Sequence, residues 1–200
     1  MMATPTNLIT DMPPQPIRRL SVQEYIDMHR LGILTADDRL QLLEGWLVEK
    51  MGKNPPHIRC FDLLFRLLLP IIPPLKWTLH AEAPIRLGRS VPEPDFSIVR
   101  GTLADYAHRL ATGDDTALVI EISDATLVKD RTYKVQLYAG ADIPLYWLIN
   151  LAERQIECYT DPDPKNLRYD TMQFYGENET LPLVLEGQPI ALLKVADMLP

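Results

Sequence analysis

Apolar residues recur along this chain with two different periods, and the switches between them outline its elements. Ser21-Val-Gln-Glu24 has the spacing of a capping box, predicting a helix from there to about Arg30. From Leu40 to Glu49 short alternating segments flank Gly45, the pattern of two small strands around a tight turn. Ile58 to Leu69 is dense in Leu and Phe, predicting a buried helix that Pro70 stops. Strands are expected at Trp77–Leu87, Asp95–Val99 and Leu118–Ser123, with a short helix over Ala104–Leu110. A helix over Asp130–Ala141, ending near Gly140 and Pro144, then leads to a strand at Leu145–Asn150. That strand forms a hairpin with Gln155–Tyr159, and Leu167–Tyr175 is a further strand. Short strands, turns and a terminal helical turn complete the chain. Helices flanking a mixed sheet give an α/β or mixed α+β class. The helix between the strands ending at Ser123 and starting at Leu145 predicts a parallel crossover.

Residues 1–19 contain Pro5, Pro13, Pro14 and Pro16 and lack any hydrophobic period; they read as a flexible N-terminal arm. Residues 20–200 are long enough for one domain. The longest apolar run, Leu67 to Leu75, is interrupted by prolines and too short to span a bilayer. The two cysteines, Cys60 and Cys158, do not make a disulfide framework, and with no recognisable signal peptide a cytoplasmic location is expected. The formal net charge of -7 counts against a protein that simply coats nucleic acid. It leaves room for an enzyme whose acidity is partly metal ligands.

The chemistry concentrates on carboxylates in apolar strands. Glu121 interrupts Ala-Leu-Val-Ile-Glu-Ile-Ser, a run of residues expected to be buried, where an ionised group needs a partner or a metal. Asp95 precedes a second strand. If the two strands are neighbours, both carboxylates reach one spot, and hard oxygen ligands of this kind suit Mg²⁺ or Mn²⁺. Lys134, on the following helix, could stabilise charge developing on a phosphate. Each residue also has a plainer explanation: Pro94-Asp95 as turn chemistry, Asp130 and Lys134 as a helical ion pair, Glu44 as a strand end emerging into solvent. His57 either caps the helix that follows or touches a substrate. The four histidines lack zinc spacing, and no phosphate loop, nucleophile elbow or Cys-x-x-Cys occurs.

The ordered set Leu43-Glu-Gly-Trp-Leu-Val48, His57, Pro94-Asp95, Val119-Ile-Glu-Ile-Ser123, Asp130-Arg131 with Lys134, Tyr138-Ala139 and Ile143-Pro-Leu-Tyr-Trp-Leu148 resembles the Uma-type family of putative restriction endonucleases, a branch of the PD-(D/E)XK nuclease superfamily. The likeness covers roughly residues 20 to 175. It implies a restriction-endonuclease-like core, Asp95 and Glu121 as metal ligands, Glu44 as a further acidic site residue, and DNA as substrate. In the superfamily a lysine sits two residues after the glutamate; here that position is Ser123, and Lys134 corresponds to the lysine the Uma-type branch carries on the next helix. Leu145 stands where the family usually has glutamate. Two functions are therefore expected to compete: a Mg²⁺- or Mn²⁺-dependent DNA endonuclease using Glu44, Asp95, Glu121 and Lys134, or a non-catalytic binding or assembly module on the same fold. A homodimer contact could involve Tyr146 and Trp147, which could equally belong to the core.

Overall fold

The structure, a computed structural model, describes residues 17–124 and 127–200. Most of the expected arm lies outside the described residues. Helix α1 (Val22–Arg30) begins at the expected capping box: Ser21 and Glu24 exchange side chain-to-backbone hydrogen bonds. Strands β1 (Leu40–Leu43) and β2 (Trp46–Glu49) form an antiparallel hairpin with Leu43 opposite Trp46. Its two turn residues, Glu44 and Gly45, both have positive φ (50° and 82°), the conformation that follows the natural twist of a two-residue hairpin. A Cβ at Gly45 would stand 2.7 Å from Arg19 Cβ and 2.9 Å from the Leu20 carbonyl. Gly45→Ala is therefore expected to cost ~1–3 kcal/mol in urea unfolding, through strain and the close approach of residues 19–20. An unchanged midpoint would contradict this account of the turn.

Helix α2 (Pro55–Leu68) starts three residues earlier than the apolar period suggests. Asn54 caps it, accepting the His57 N–H at 3.1 Å, and prolines occupy its first two positions, where no donor is needed. Cys60, Leu64 and Leu68, spaced four apart, are fully buried against the sheet, each leucine worth about 1.5–3 kcal/mol by burial.

The central sheet is built from β3 (Trp77–Ala81), β5 (Phe96–Arg100), β7 (Thr116–Ser123), β8 (Leu145–Asn150), β9 (Gln155–Asp163) and β10 (Arg168–Gly176), in the order β10-β9-β8-β7-β5-β3. Only β7 and β8 run parallel, and the connection between them is helical, as the crossover argument requires. Two-residue strands β4 (Ile85–Arg86) and β6 (Ala111–Thr112) pair beside it. The anticipated strand from Trp77 to Leu87 breaks at Glu82, where φ is 50°. The helix expected over 104–110 is only a 3₁₀ turn, Leu103–Tyr106. Arg109 instead forms a two-pronged ion pair with Asp115 (2.6 and 3.0 Å), and the chain extends into β6.

The sheet is covered on both faces. On one, α2 and a C-terminal ribbon of β11 (Thr180–Leu185) and β12 (Gln188–Lys194) pack over Phe96, Ile98, Ile120 and Trp147. On the other lie Val119, Tyr146, Leu148 and the helical crossover. That crossover is one α turn, α3 (Leu127–Lys129), a π-helical turn (Asp130–Lys134), and α4 (Val135–Gly140). Thr132 Oγ1 donates to the Val128 carbonyl at 2.7 Å within it, a back-bond of the kind that bends helices. Tyr146 and Trp147 are both fully buried, so they belong to the core and offer no dimer contact. Cys60 and Cys158 are free, buried thiols, and among the described residues no helix is long and apolar enough to cross a membrane.

Candidate active site

Antiparallel pairing of β5 with β7 sets Phe96 opposite Ile120, which brings Asp95 and Glu121 together at one end of the sheet. There a cleft of about 390 Å³ opens between the β1–β2 hairpin, the start of α2 and the π turn. Asp95, Glu121 and Lys134 line it together with Gln41, Lys50, Lys53, His57, Glu82, Glu93 and Asp130. The sequence expectation that Asp95, Glu121 and Lys134 meet is thus matched by their placement. Glu44 is elsewhere. It occupies the hairpin turn, accepts a hydrogen bond from Ser90 Oγ at 3.0 Å, and lines a separate depression with Leu87 and Tyr133. The strand ends at Leu43, so Glu44 sits in the turn and its positive φ directs it to Ser90 and not to the cleft.

Asp95 is almost fully buried and each of its oxygens is engaged. Oδ1 meets His57 Nε2 and Lys53 Nζ, both at 2.9 Å; Oδ2 accepts the Ile122 N–H at 2.8 Å. Burial acts to raise its pKa, but His57, Lys53 and the Ile122 amide outweigh burial and hold the carboxyl below its ordinary range. His57 does not cap α2, since Asn54 does; it is the third residue of that helix and its ring turns to Asp95. Lys53 also pairs with Glu82 at 2.7 Å. Burial disfavours its charge, yet the two carboxylates prevail and raise its pKa.

Glu121 is held from the crossover side. Lys134 Nζ lies 2.5 Å from Oε1, Tyr138 donates its hydroxyl to the same oxygen, and Lys134 also reaches Tyr138 Oη at 3.2 Å. The π turn spans Asp130 to Lys134, and both its ends are buried at the cleft. Such wide turns recur where a helix must aim a functional side chain. Burial pushes the Glu121 pKa up; Lys134 opposes this, while Asp95 and Asp130 add to it, and the carboxyl ends above its ordinary value. Two adjacent carboxylates are thus driven apart in proton affinity.

Carboxylate oxygens such as these suit a hard divalent cation better than zinc. Among the described residues no three His, Cys, Asp or Glu are grouped to hold a metal. Gln41, Lys53 and Glu82 escaped the sequence argument. Gln41 had only strand parity to mark it, and Lys53 and Glu82 sit in irregular segments where periodicity says nothing.

A family model for Uma2, described as "Putative restriction endonuclease", matches residues 22–193. The chain belongs to this family. The Uma2 fold is also seen in the crystal structure of a putative nuclease belonging to DUF820 from Anabaena variabilis: TM-score 0.66 at 16% identity, over 84% of this chain and 94% of that one. At that identity the likeness speaks to fold alone, and it supports the nuclease-like mixed α+β architecture. No curated protein matches this Uma2 chain significantly.

Proposed function

We propose that this Uma2 protein is a Mg²⁺- or Mn²⁺-dependent endonuclease that hydrolyses phosphodiester bonds in DNA. The observation that carries the reading is the convergence of Asp95, Glu121 and Lys134 in one cleft, in a chain whose family is described as "Putative restriction endonuclease". Asp95 and Glu121 would hold the ion. A bound divalent ion supplies Lewis-acid stabilisation of charge on the phosphate and makes water easier to ionise.

The protein's own groups have distinct tasks. Lys134 lies beside Glu121, where its amine can stabilise charge developing on a phosphate oxygen. Its origin on the π turn offers a substitute for a lysine at Ser123, which is buried at the end of β7. Tyr138 fixes the rotamer of Glu121 through its hydroxyl. His57 and the Ile122 N–H hold Asp95 ionised and oriented. Lys53, one-third exposed at the cleft and paired with Asp95, is placed to meet a phosphate of the DNA backbone. Glu44 is assigned no direct part in this site. The reading includes a cytoplasmic protein and a homodimer; the molar mass from light scattering on the purified protein tests the dimer.

Calorimetric titration with Mn²⁺ and plasmid cleavage in Mg²⁺ test the assignment. The wild type is expected to bind one ion and to cleave, and Asp95→Asn to lose both at least tenfold while remaining folded. Cleavage that persists at full rate in a chelator would reject metal dependence. A wild type that binds neither ion and cuts no DNA would favour the non-catalytic module, a reading consistent with the ammonium groups already paired to Asp95 and Glu121.

A further inference from the structure

We infer that Gln41 supplies a neutral amide oxygen as a third protein ligand of the divalent ion in this cleft. The inference rests on the metal-dependent reading above and extends it to a residue of another type. On β1, Leu42 is fully buried with Val22 and Val91, and its carbonyl accepts the Val91 N–H at 2.7 Å. Alternation sends the side chain of Gln41 the opposite way, into the wall of the cleft. Gln41 is only 5% exposed, and its Oε1 has no hydrogen-bond partner among the described residues.

An orphaned buried carbonyl is costly, and native proteins keep few of them. A methionine or leucine would fill the same space without that cost. The nearby ammonium groups are committed elsewhere: Lys50 to Glu93 at 2.8 Å, and Lys53 to Glu82 and Asp95. What Oε1 lacks is an electron-pair acceptor, and the same cleft contains two carboxylates suited to a hard cation. Such cations accept amide oxygens alongside carboxylates. A neutral ligand also explains how the site can be built although no three His, Cys, Asp or Glu are grouped here. It completes the oxygen set without adding a further negative charge beside Glu121.

The test is Mn²⁺ calorimetry on the full chain, comparing wild type, Gln41→Met, Gln41→Glu and Asp95→Asn, with thermal unfolding of each metal-free protein. Gln41→Met is expected to weaken Mn²⁺ binding about tenfold while its metal-free form melts at or above the wild-type temperature. Gln41→Glu is expected to bind about tenfold more tightly than wild type, since a carboxylate replaces the amide. Wild-type affinity in folded Gln41→Met overturns the inference, even if Gln41→Glu binds more tightly through its charge. If Asp95→Asn has meanwhile lost binding, the metal site stands and Gln41 is removed from it. Should Gln41→Met not fold, unchanged affinity in Gln41→Glu overturns the inference instead. Absence of Mn²⁺ binding to the wild type overturns both the inference and the reading beneath it.

Discussion

Glu121→Ala is expected to abolish cleavage and also to weaken the fold. Removing a proposed metal ligand should lower the rate by about 10³-fold. The same change strips the partner from Lys134, whose side chain is 5% exposed and lies 2.5 Å from the lost oxygen. An ammonium left buried without its carboxylate costs about 3–5 kcal/mol. Inactivity of Glu121→Ala alone therefore cannot separate chemistry from unfolding. The double variant Glu121→Leu/Lys134→Leu separates them. It replaces a buried ion pair by apolar groups, which should recover much of the stability, less the hydrogen bond Tyr138 loses, and no activity. Urea unfolding and plasmid cleavage read the two effects. Wild-type cleavage by Glu121→Ala would remove this residue from the mechanism. A single variant as stable as the wild type would contradict the buried pair.

The second large effect is expected away from the cleft. Glu157 on β9 is completely buried. Arg131 of the π turn grips it through Nε at 3.0 Å and Nη2 at 2.7 Å, while Tyr159 donates its hydroxyl at 2.8 Å and Asn150 its amide at 3.1 Å. The Arg131 pKa is raised, chiefly by its hydrogen bonds to Glu157. Arg131→Met leaves a carboxylate in the interior with only neutral donors, expected to cost about 3–5 kcal/mol. Tyr159→Phe removes one neutral donor and should cost about 1 kcal/mol. Arg131 is the neighbour in sequence of Asp130 and lies three residues before Lys134, so its loss should also loosen the turn that aims Lys134. A double-mutant cycle with Glu157→Met would isolate the pair; a coupling energy near zero would show that Asn150 and Tyr159 suffice.

Local signals were legible where one residue type has one physical use. Ser21 and Glu24 announced α1, and the crossover between β7 and β8 followed from helix between strands. The meeting of Asp95 with Glu121 needed only that their strands be neighbours, and Lys134 was carried by the family likeness. Legibility failed where irregular backbone decides direction. Glu44 looked like a strand residue because nothing in Leu-Leu-Glu-Gly distinguishes the last strand position from the first turn position; its positive φ turns it to Ser90. Gln41, one strand residue among leucines, carried no charge to draw notice. The π turn adds a residue to a helical repeat that periodicity treats as uniform, and the early start of α2 followed from Asn54 and two prolines, not from its apolar face.

The proposed carboxylate Glu121 and the amine beside it ride on separate parts of the molecule: Glu121 on the central strand β7, Lys134 on the crossover helix with its π turn, residues 127–140. A helix docked on one face of a sheet opens at lower free energy than the central strand it covers. On warming, the candidate site should therefore come apart before the sheet unfolds. The lifetime of the site would be set by how firmly that crossover helix stays docked, and stabilising the sheet would do little to extend it.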